Sequence, residues 1–384
     1  SPSARKSEGA FYLWRDEELD ATLGADAPLV RQRFGILPDG NAPSDPQGEF
    51  TGRNLLYVAA SVEEVAARHG ISAGDAAVRI ERARQRMFDA SRPRPRPHLD
   101  DKILTAWNGL MIAAFARGAR VIGSLAHLQS AQRSALFLRS RMWDGASRTL
   151  HHRYRDGEVA IEAYAEDYAY LVWGLLELFQ ADADPAWLEW AVELQRRQDD
   201  LFWDAQGGGW FSTTGRDPSV LVRMKEDYDG AEPSATAVSV ANLNLLAHLT
   251  GDESCRERIE RTFAGAHVRV VGASRSVPMM LAALSAWHAG VQQVVLVGSR
   301  QDENLQALAR VVARRHLPFA VTILAEPGPH QDRLVRTVPQ VASMRMLNGR
   351  PTAYVCRDFA CQQPTTEPGV LERQLTTSAH RLTE

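Results

Sequence analysis

The chain has 384 residues, 45% of them apolar and 24% charged, with a formal net charge of −3. That composition belongs to a globular protein and excludes general disorder, and the near-neutral balance gives no electrostatic case for nucleic acid or an anionic membrane. No apolar run approaches the roughly 20 residues a membrane span needs, and three cysteines in a chain this long fit a reducing, cytoplasmic setting rather than a disulfide framework.

The opening "SPSARKSEGAFYLW" has no initiator methionine, so an upstream domain or leader is left open. "SVEEVAARHG" and "AGDAAVRIERARQRMFDA" predict two amphipathic helices, and the stiff linker "SRPRPRP" follows. Residues 1–97 therefore read as a helical segment leading into a larger domain. At "HLDDKILTAWNGLMIAAFARGA" a helical period takes over, with Ile103, Leu104, Trp107, Leu110, Met111, Ala114 and Phe115 on one stripe and Gly123 as a stop. "LAHLQSAQRSALFLRSRMW" is its amphipathic partner. "YAEDYAYLVWGLLELFQ" begins a second apolar helix near Tyr164, and "PAWLEWAVELQRRQDDLFW" partners it with Pro185 in the first turn. "EPSATAVSVANLNLLAHLTG" is a third apolar helix, running from Pro233 to Gly251, with "DESCRERIERTF" on its polar side. "SVPMMLAALSAWHAG" supplies a fourth.

The succession repeats. An amphipathic helix ends in an aromatic and Asp, as in "RMWDGASRTLHHRY" and "DLFWDAQGGGWFST"; hairpin-like residues follow, then carboxylates, then an apolar helix. Alternating apolar and amphipathic helices imply an inner and an outer layer. The predicted fold is mainly α, an (α/α)6-type toroid of helical hairpins with its core at residues 98–290; a stacked α-solenoid competes. Residues 291–326 break the pattern: "VQQVVLVG", "ENLQALARVVARR" and "FAVTILAE" read as one βαβ unit. With no GxGxxG or Walker pattern it reads as a structural insertion, and residues 327–384 complete the domain.

Acidic residues crowd the starts of three apolar helices: Asp100 and Asp101; Glu166 and Asp167; and Glu226, Asp227, Asp229 and Glu232 in "KEDYDGAEPS". Parallel inner helices would place all three clusters on one rim, where helix N-termini favour ionised carboxylates. Asp100 and Glu232 suit N-caps. Asp101 stands apart, because Thr105 and Asn108 would share its helical face and make a polar seam in need of partners. Trp107, Tyr164, Tyr168, Trp210 and Phe211 accompany the acids, as ring faces do in sugar-binding clefts. Trp107 and Tyr168, set in apolar helices, fit a packed core first. His151 and His152 precede the second cluster. No HExxH or Cys/His spacing is present, so neither metal nor cofactor is expected. Cys356 and Cys361 are too few for zinc and lack CxxC spacing, and read as structural.

"EGAFYLW", "FTGRNLL", "DDKILTAWNGLMIAA", "AEDYAYLVWGLLEL", "GGWFST", "KEDYDGAEPS" and "PTAYVCRDFACQQPTTEP" occur in that order. The ordered set closely resembles the spermatogenesis-associated protein 20 family of thioredoxin-domain-containing proteins, over essentially the whole chain. The resemblance implies an α/α toroid similar to N-acylglucosamine 2-epimerases and six-hairpin glycosidases, here without the family's N-terminal thioredoxin-like domain. Two departures stand out. Ala235, Thr236 and Ala237 replace the usual Gly-Asn-Ser type of triplet, and the epimerases' acid/base histidines have no clear counterparts.

The leading expectation is a carbohydrate-active protein that hydrolyses or isomerises a mono- or oligosaccharide. Asp101 with Asp229 or Glu166 would be the catalytic pair, with Asp167 and Lys102 tuning their pKa values. Lys102, Trp107, Asn108, His152, Tyr164, Trp210, Glu226 and Glu232 would hold the sugar-like ligand. In the isomerase or epimerase variant His151 or His152 is the base. The alternative is a non-catalytic ligand-binding or scaffold module serving a thioredoxin-like domain.

Overall fold

The computed structural model describes residues 9–42, 48–357 and 360–377. It divides into two units, Ser1–Asp100 and Asp101–Glu384. The first holds α1 (Asp16–Leu23), α2 (Ala27–Phe34), α3 (Val62–His69) and α4 (Ala73–Ser91) around Trp14, Leu19, Val30, Ala83 and Met87. Both helices expected there are present. Ser61 and Glu64 close a capping box at the start of α3, Glu64 N–H donating to Ser61 Oγ (3.1 Å) and Ser61 N–H to Glu64 Oε2 (2.7 Å).

The second unit begins with β1 (Ile103–Leu104), α5 (Thr105–Ile122), α6 (Leu125–Phe137), β2 (Trp143–Asp144), β3 (Thr149–Arg155) and β4 (Glu158–Glu162). There follow α7 (Ala165–Asp182), α8 (Pro185–Phe202), α9 (Ala235–Thr250), α10 (Glu253–Gly272) and α11 (Pro278–Ala289). The apolar helices α5, α7, α9 and α11 form the inner series, α7 packing on α5 and α9, and α9 on α11. The amphipathic α6, α8 and α10 cover α5, α7 and α9 in turn. This is the α/α toroid-type layering the alternation predicts, with four inner and three outer helices among the described residues.

Hydrogen bonds set the inner helices parallel. The Ala106 amide at the start of α5 donates to Asp167 at the start of α7 (2.9 Å), while Arg120 reaches Glu177 toward their far ends (2.6 Å). Asn242 of α9 donates to the Ala169 carbonyl of α7 (2.8 Å). Asp229 accepts from the Ser234 and Met279 amides, at the starts of α9 and α11 (2.7 Å each).

The α5–α7 contact runs through glycine. A Cβ at Gly109 would lie 2.5 Å from the Tyr170 backbone, and one at Gly174 would lie 2.6 Å from the Gly109 carbonyl. The buried face of α5 is consequently Ala106, Gly109, Ile112, Ala113 and Ala116. This corrects the predicted stripe: Met111 is 48% and Trp107 56% exposed, so Trp107 is not core, whereas Tyr168 is buried as expected. The large apolar side chains marked a period, but close backbone approach selected the face with small ones.

The start of α5 is also corrected. Ile103 and Leu104 pair antiparallel with Tyr154 and Arg153 of β3, so the helix begins only at Thr105. Its N-cap is Leu104, without a side-chain bond, and Asp100 does not cap it. The expected seam of Asp101, Thr105 and Asn108 does not form. Thr105 Oγ1 donates to the His151 carbonyl (2.6 Å), and Asn108 donates back to the Leu104 carbonyl (2.8 Å) and accepts from Ser134 Oγ (2.9 Å). The β3–β4 hairpin turns at Asp156 (φ 49°) and Gly157 (φ 86°), the two positive φ values a tight hairpin loop demands.

A second sheet follows. β5 (Gln292–Val297), α12 (Glu303–Ala313) and β6 (Ala320–Ala325) make the expected βαβ unit, with β5 and β6 parallel. After α13 (Pro329–Leu334), β7 (Thr352–Arg357) runs antiparallel to β5, and β8 (Ala360–Cys361) flanks β7 before α14 (Pro368–Thr377). The order is β6-β5-β7-β8, and β5 is buried at every position. Cys356 and Cys361 are joined as a disulfide, which corrects the expectation of reduced thiols; the register of β7 and β8 makes them direct partners.

Candidate functional site

Because the inner helices are parallel and their starts are tied together, the second and third acidic clusters meet on one rim, while Asp101 of the first is paired with Arg155. The convergence shows at Tyr170, whose phenol is pushed up by burial first and then by the nearby charges of Glu232, Glu166, Glu226 and Asp229. Its hydroxyl donates to the Pro233 carbonyl just before α9. Sequence reasoning missed Tyr170, though it lies four residues after Glu166 and therefore on the same helical face.

Asp167 is the buried hub, with no solvent-exposed surface. Oδ2 accepts from the Tyr164 amide (2.9 Å), capping its own helix, and Oδ1 accepts from the Ala106 amide (2.9 Å), capping α5 in place of Leu104. Both oxygens also face His152 Nδ1, at 2.9 and 3.1 Å. That hydrogen bond raises the His152 pKa above its ordinary value, against the opposing effects of burial and of the Lys102 charge. Burial pushes the Asp167 carboxyl up, while donors from His152, Tyr164 and Ala106 pull against it. The Tyr164 ring meets His152 edge-on at 5.1 Å. His151 instead turns its Nδ1 toward the Met142 carbonyl (3.3 Å).

Glu166 differs from its neighbour. It is half-buried, and its carboxyl is pushed up to about 7, by burial first and then by the Asp167 charge; Glu226 adds to this and His152 opposes it. An acid that titrates near neutrality beside an imidazole held by a buried carboxylate can both give and take a proton.

The remaining expected residues divide. Glu232 accepts from Trp107 Nε1 (2.6 Å), which holds the exposed indole at the rim. Glu232 does not cap α9: Ser234 does, its Oγ accepting from the Ala237 amide (3.3 Å). Glu226 is exposed and within electrostatic reach of Glu166. Asp227 pairs with Arg269 (2.8 Å). Asp229 spends one oxygen on each of two helix starts. Asp101, ahead of β1, pairs with Arg155 (2.8 Å). Asn108 is committed to Leu104 and Ser134. Trp210, expected as a stacking ring, is 1% exposed, packs on Trp203 and donates to Asp199 (2.9 Å). Its place in the short bridge Trp203–Trp210 turns the ring inward.

A cavity of about 480 Å³ lies at the other end of α7, lined by Asp182, Arg300, His330 and Arg333 among others. Its cations are committed, Arg300 to the Asp182 and Ala183 carbonyls and Arg333 to Glu189.

Human spermatogenesis-associated protein 20 is 37% identical over 392 residues, covering 97% of this chain and 50% of that protein. Nearly the whole chain is related to spermatogenesis-associated protein 20. The mouse protein of that name is 35% identical with the same coverage. The chain thus spans about half the length of the curated relatives it matches. No family model matches it. Among solved structures, a cellobiose 2-epimerase from Spirochaeta thermophila is 17% identical, covering 44% of each chain with a TM-score of 0.36. A family 76 glycoside hydrolase (mannosidase) from Bacteroides thetaiotaomicron is 14% identical, covering 44% of this chain and 45% of that one, also with a TM-score of 0.36. Among the described residues, no helix is long and apolar enough to cross a membrane.

Proposed function

We propose that the rim is an acid–base site for a sugar-like ligand, and that its chemistry is proton transfer at a carbon next to a carbonyl, as in epimerisation or isomerisation. The observation that carries this reading is His152 oriented by buried Asp167, with Glu166, raised to about 7, within electrostatic reach of the ring. His152 Nε2 is the base or acid toward the ligand, Asp167 positions the ring, and Glu166 handles the proton of the carbonyl or hydroxyl oxygen. Trp107, Tyr164 and Glu226 border the same rim and contact the ligand.

Hydrolysis by two carboxylates is the weaker reading, because it needs a free pair. Asp101 is held by Arg155, and Asp167 and Asp229 are held by backbone amides. The test is deuterium wash-in at the carbon next to the carbonyl, followed by NMR across aldoses and ketoses in heavy water. Exchange that disappears in Glu166→Gln and His152→Asn supports the reading. No exchange with any sugar, or exchange unchanged in both variants, sinks it.

A second reading is favoured by the same commitments: a rim whose acids are mostly held by backbone amides, arginines and an indole suits a non-catalytic module that binds a ligand or serves a thioredoxin-like domain. Sugar-induced thermal stabilisation without exchange would select it.

A further inference from the structure

Outside the rim, the C-terminal sheet carries a pair of cysteines that no acid–base chemistry uses. Cys356 lies in β7 and is 2% exposed, whereas Cys361 lies in β8 and is exposed. The two are cross-strand partners joined as a disulfide. β8 is only two residues long and, among the described residues, pairs with β7 alone and has no strand on its outer flank. The third cysteine, Cys255, is buried, and burial first, then the charges of Asp252 and Asp199, push its thiol up to about 12, which removes it as a competing nucleophile.

We propose that Cys356–Cys361 is a thiol–disulfide exchange site whose co-substrate is a dithiol, with Cys361 as the sulfur attacked. Which sulfur reacts in an exchange is decided by access, and here one sulfur belongs to an exposed edge residue and the other to a buried one. The incoming thiolate bonds to Cys361 Sγ, the Cys356–Cys361 bond breaks, and its electron pair leaves on Cys356 Sγ, which takes up a proton. The second thiol of the dithiol then attacks its own sulfur in the mixed disulfide and releases Cys361 as a thiol. The protein gains two electrons and two protons, and the dithiol becomes a disulfide.

The surroundings keep this step reversible. Beyond Cys361, Gln362 N–H donates to the Val355 carbonyl (2.9 Å), and Ala353 and Thr365 exchange two backbone bonds (2.8 and 3.0 Å). These bonds hold the two strands together beside the pair without the sulfurs, so the two thiols stay opposed after reduction and can close again.

The experiment treats the folded protein with dithiothreitol without denaturant, then with an alkylating reagent, and maps labels by peptide mass. The expected result is rapid labelling of Cys361 after reduction and none before it, with circular dichroism unchanged and Cys255 labelled only in denaturant. Oxidised glutathione added before the alkylator restores the unlabelled state. With reduced glutathione, a monothiol, the mixed disulfide is expected on the Cys361 peptide. Cys361 that stays unlabelled until denaturant is added, or that labels only as the circular dichroism signal is lost, overturns the proposal. A glutathione adduct on Cys356 instead overturns the assignment of the attacked sulfur.

Discussion

The starts of α5 and α7 look alike in sequence and behave oppositely in the structure. Each has two adjacent acids ahead of an apolar helix, "LDDKILTAW" and "AYAEDYAYL". In the first, the Ile103–Leu104 strand separates the acids from the helix, which is left without a cap of its own. In the second, both acids lie in the first turn, and Asp167 caps not only α7 but also α5. One carboxylate therefore holds two helix ends and a histidine, while Asp101 makes an ion pair with Arg155 that leaves it 45% exposed. An acid before a helix is thus not one kind of feature. Its role depends on where the helical turn begins.

The comparison is broken most severely at Asp167. Asp167→Ala removes acceptors from the buried Ala106 amide, the part-buried Tyr164 amide and His152, and should cost roughly 3–5 kcal/mol, read as a fall in the urea midpoint. A loss below about 1 kcal/mol would show that the hub is not one. Next comes Gly109→Ala, which drives a methyl group into the Tyr170 backbone and should destabilise by about 2–3 kcal/mol. Wild-type stability in that variant would mean that α5 and α7 separate at little cost.

Glu166→Gln tests the uncommitted acid. A carboxyl raised from 4.5 to about 7 by burial binds its proton more tightly in the folded chain than in the unfolded one. Its contribution is therefore fully present below pH 4.5 and is lost as pH rises through about 7. The variant should lack this loss and gain roughly 1–2 kcal/mol at pH 8, the exposed part of the side chain reducing the gain. His152, also raised, contributes stability that is present below its unfolded value of 6.5 and is lost above it, and this second decline should survive in the variant. Identical pH–stability curves for the two proteins would refute the assignment. The smallest effect belongs to Asp101→Asn, a half-exposed ion pair worth up to about 1 kcal/mol, whose melting should shift little and lose its salt dependence.

Much of this was legible beforehand. The alternation of apolar and amphipathic helices gave the layers, "VQQVVLVG" and "FAVTILAE" gave the parallel strands, and two of the three acid clusters lie within electrostatic reach of each other. The errors share a cause. The stripe through Trp107 and Met111 was a true period read in the wrong phase, since only the neighbouring helix decides which face it needs. The seam of Asp101, Thr105 and Asn108 failed because Ile103 and Leu104, helix-compatible in sequence, found strand partners in Tyr154 and Arg153. Tyr170 went unnoticed because an aromatic in an apolar helix gives no sign of pointing at a charged neighbour.

By itself, the sequence determined the local periods, the stops at Gly123 and Gly251, and the residue types available for proton transfer, because these depend on contacts within a few positions. The tertiary structure alone decided which carboxylates remain free. Asp229 and Asp167 each give one oxygen to an amide of a helix distant in sequence, Met279 and Ala106, and Glu166 is pushed toward neutrality by burial among them. Commitment and burial are properties of the packed neighbourhood, and no stretch of sequence carries them.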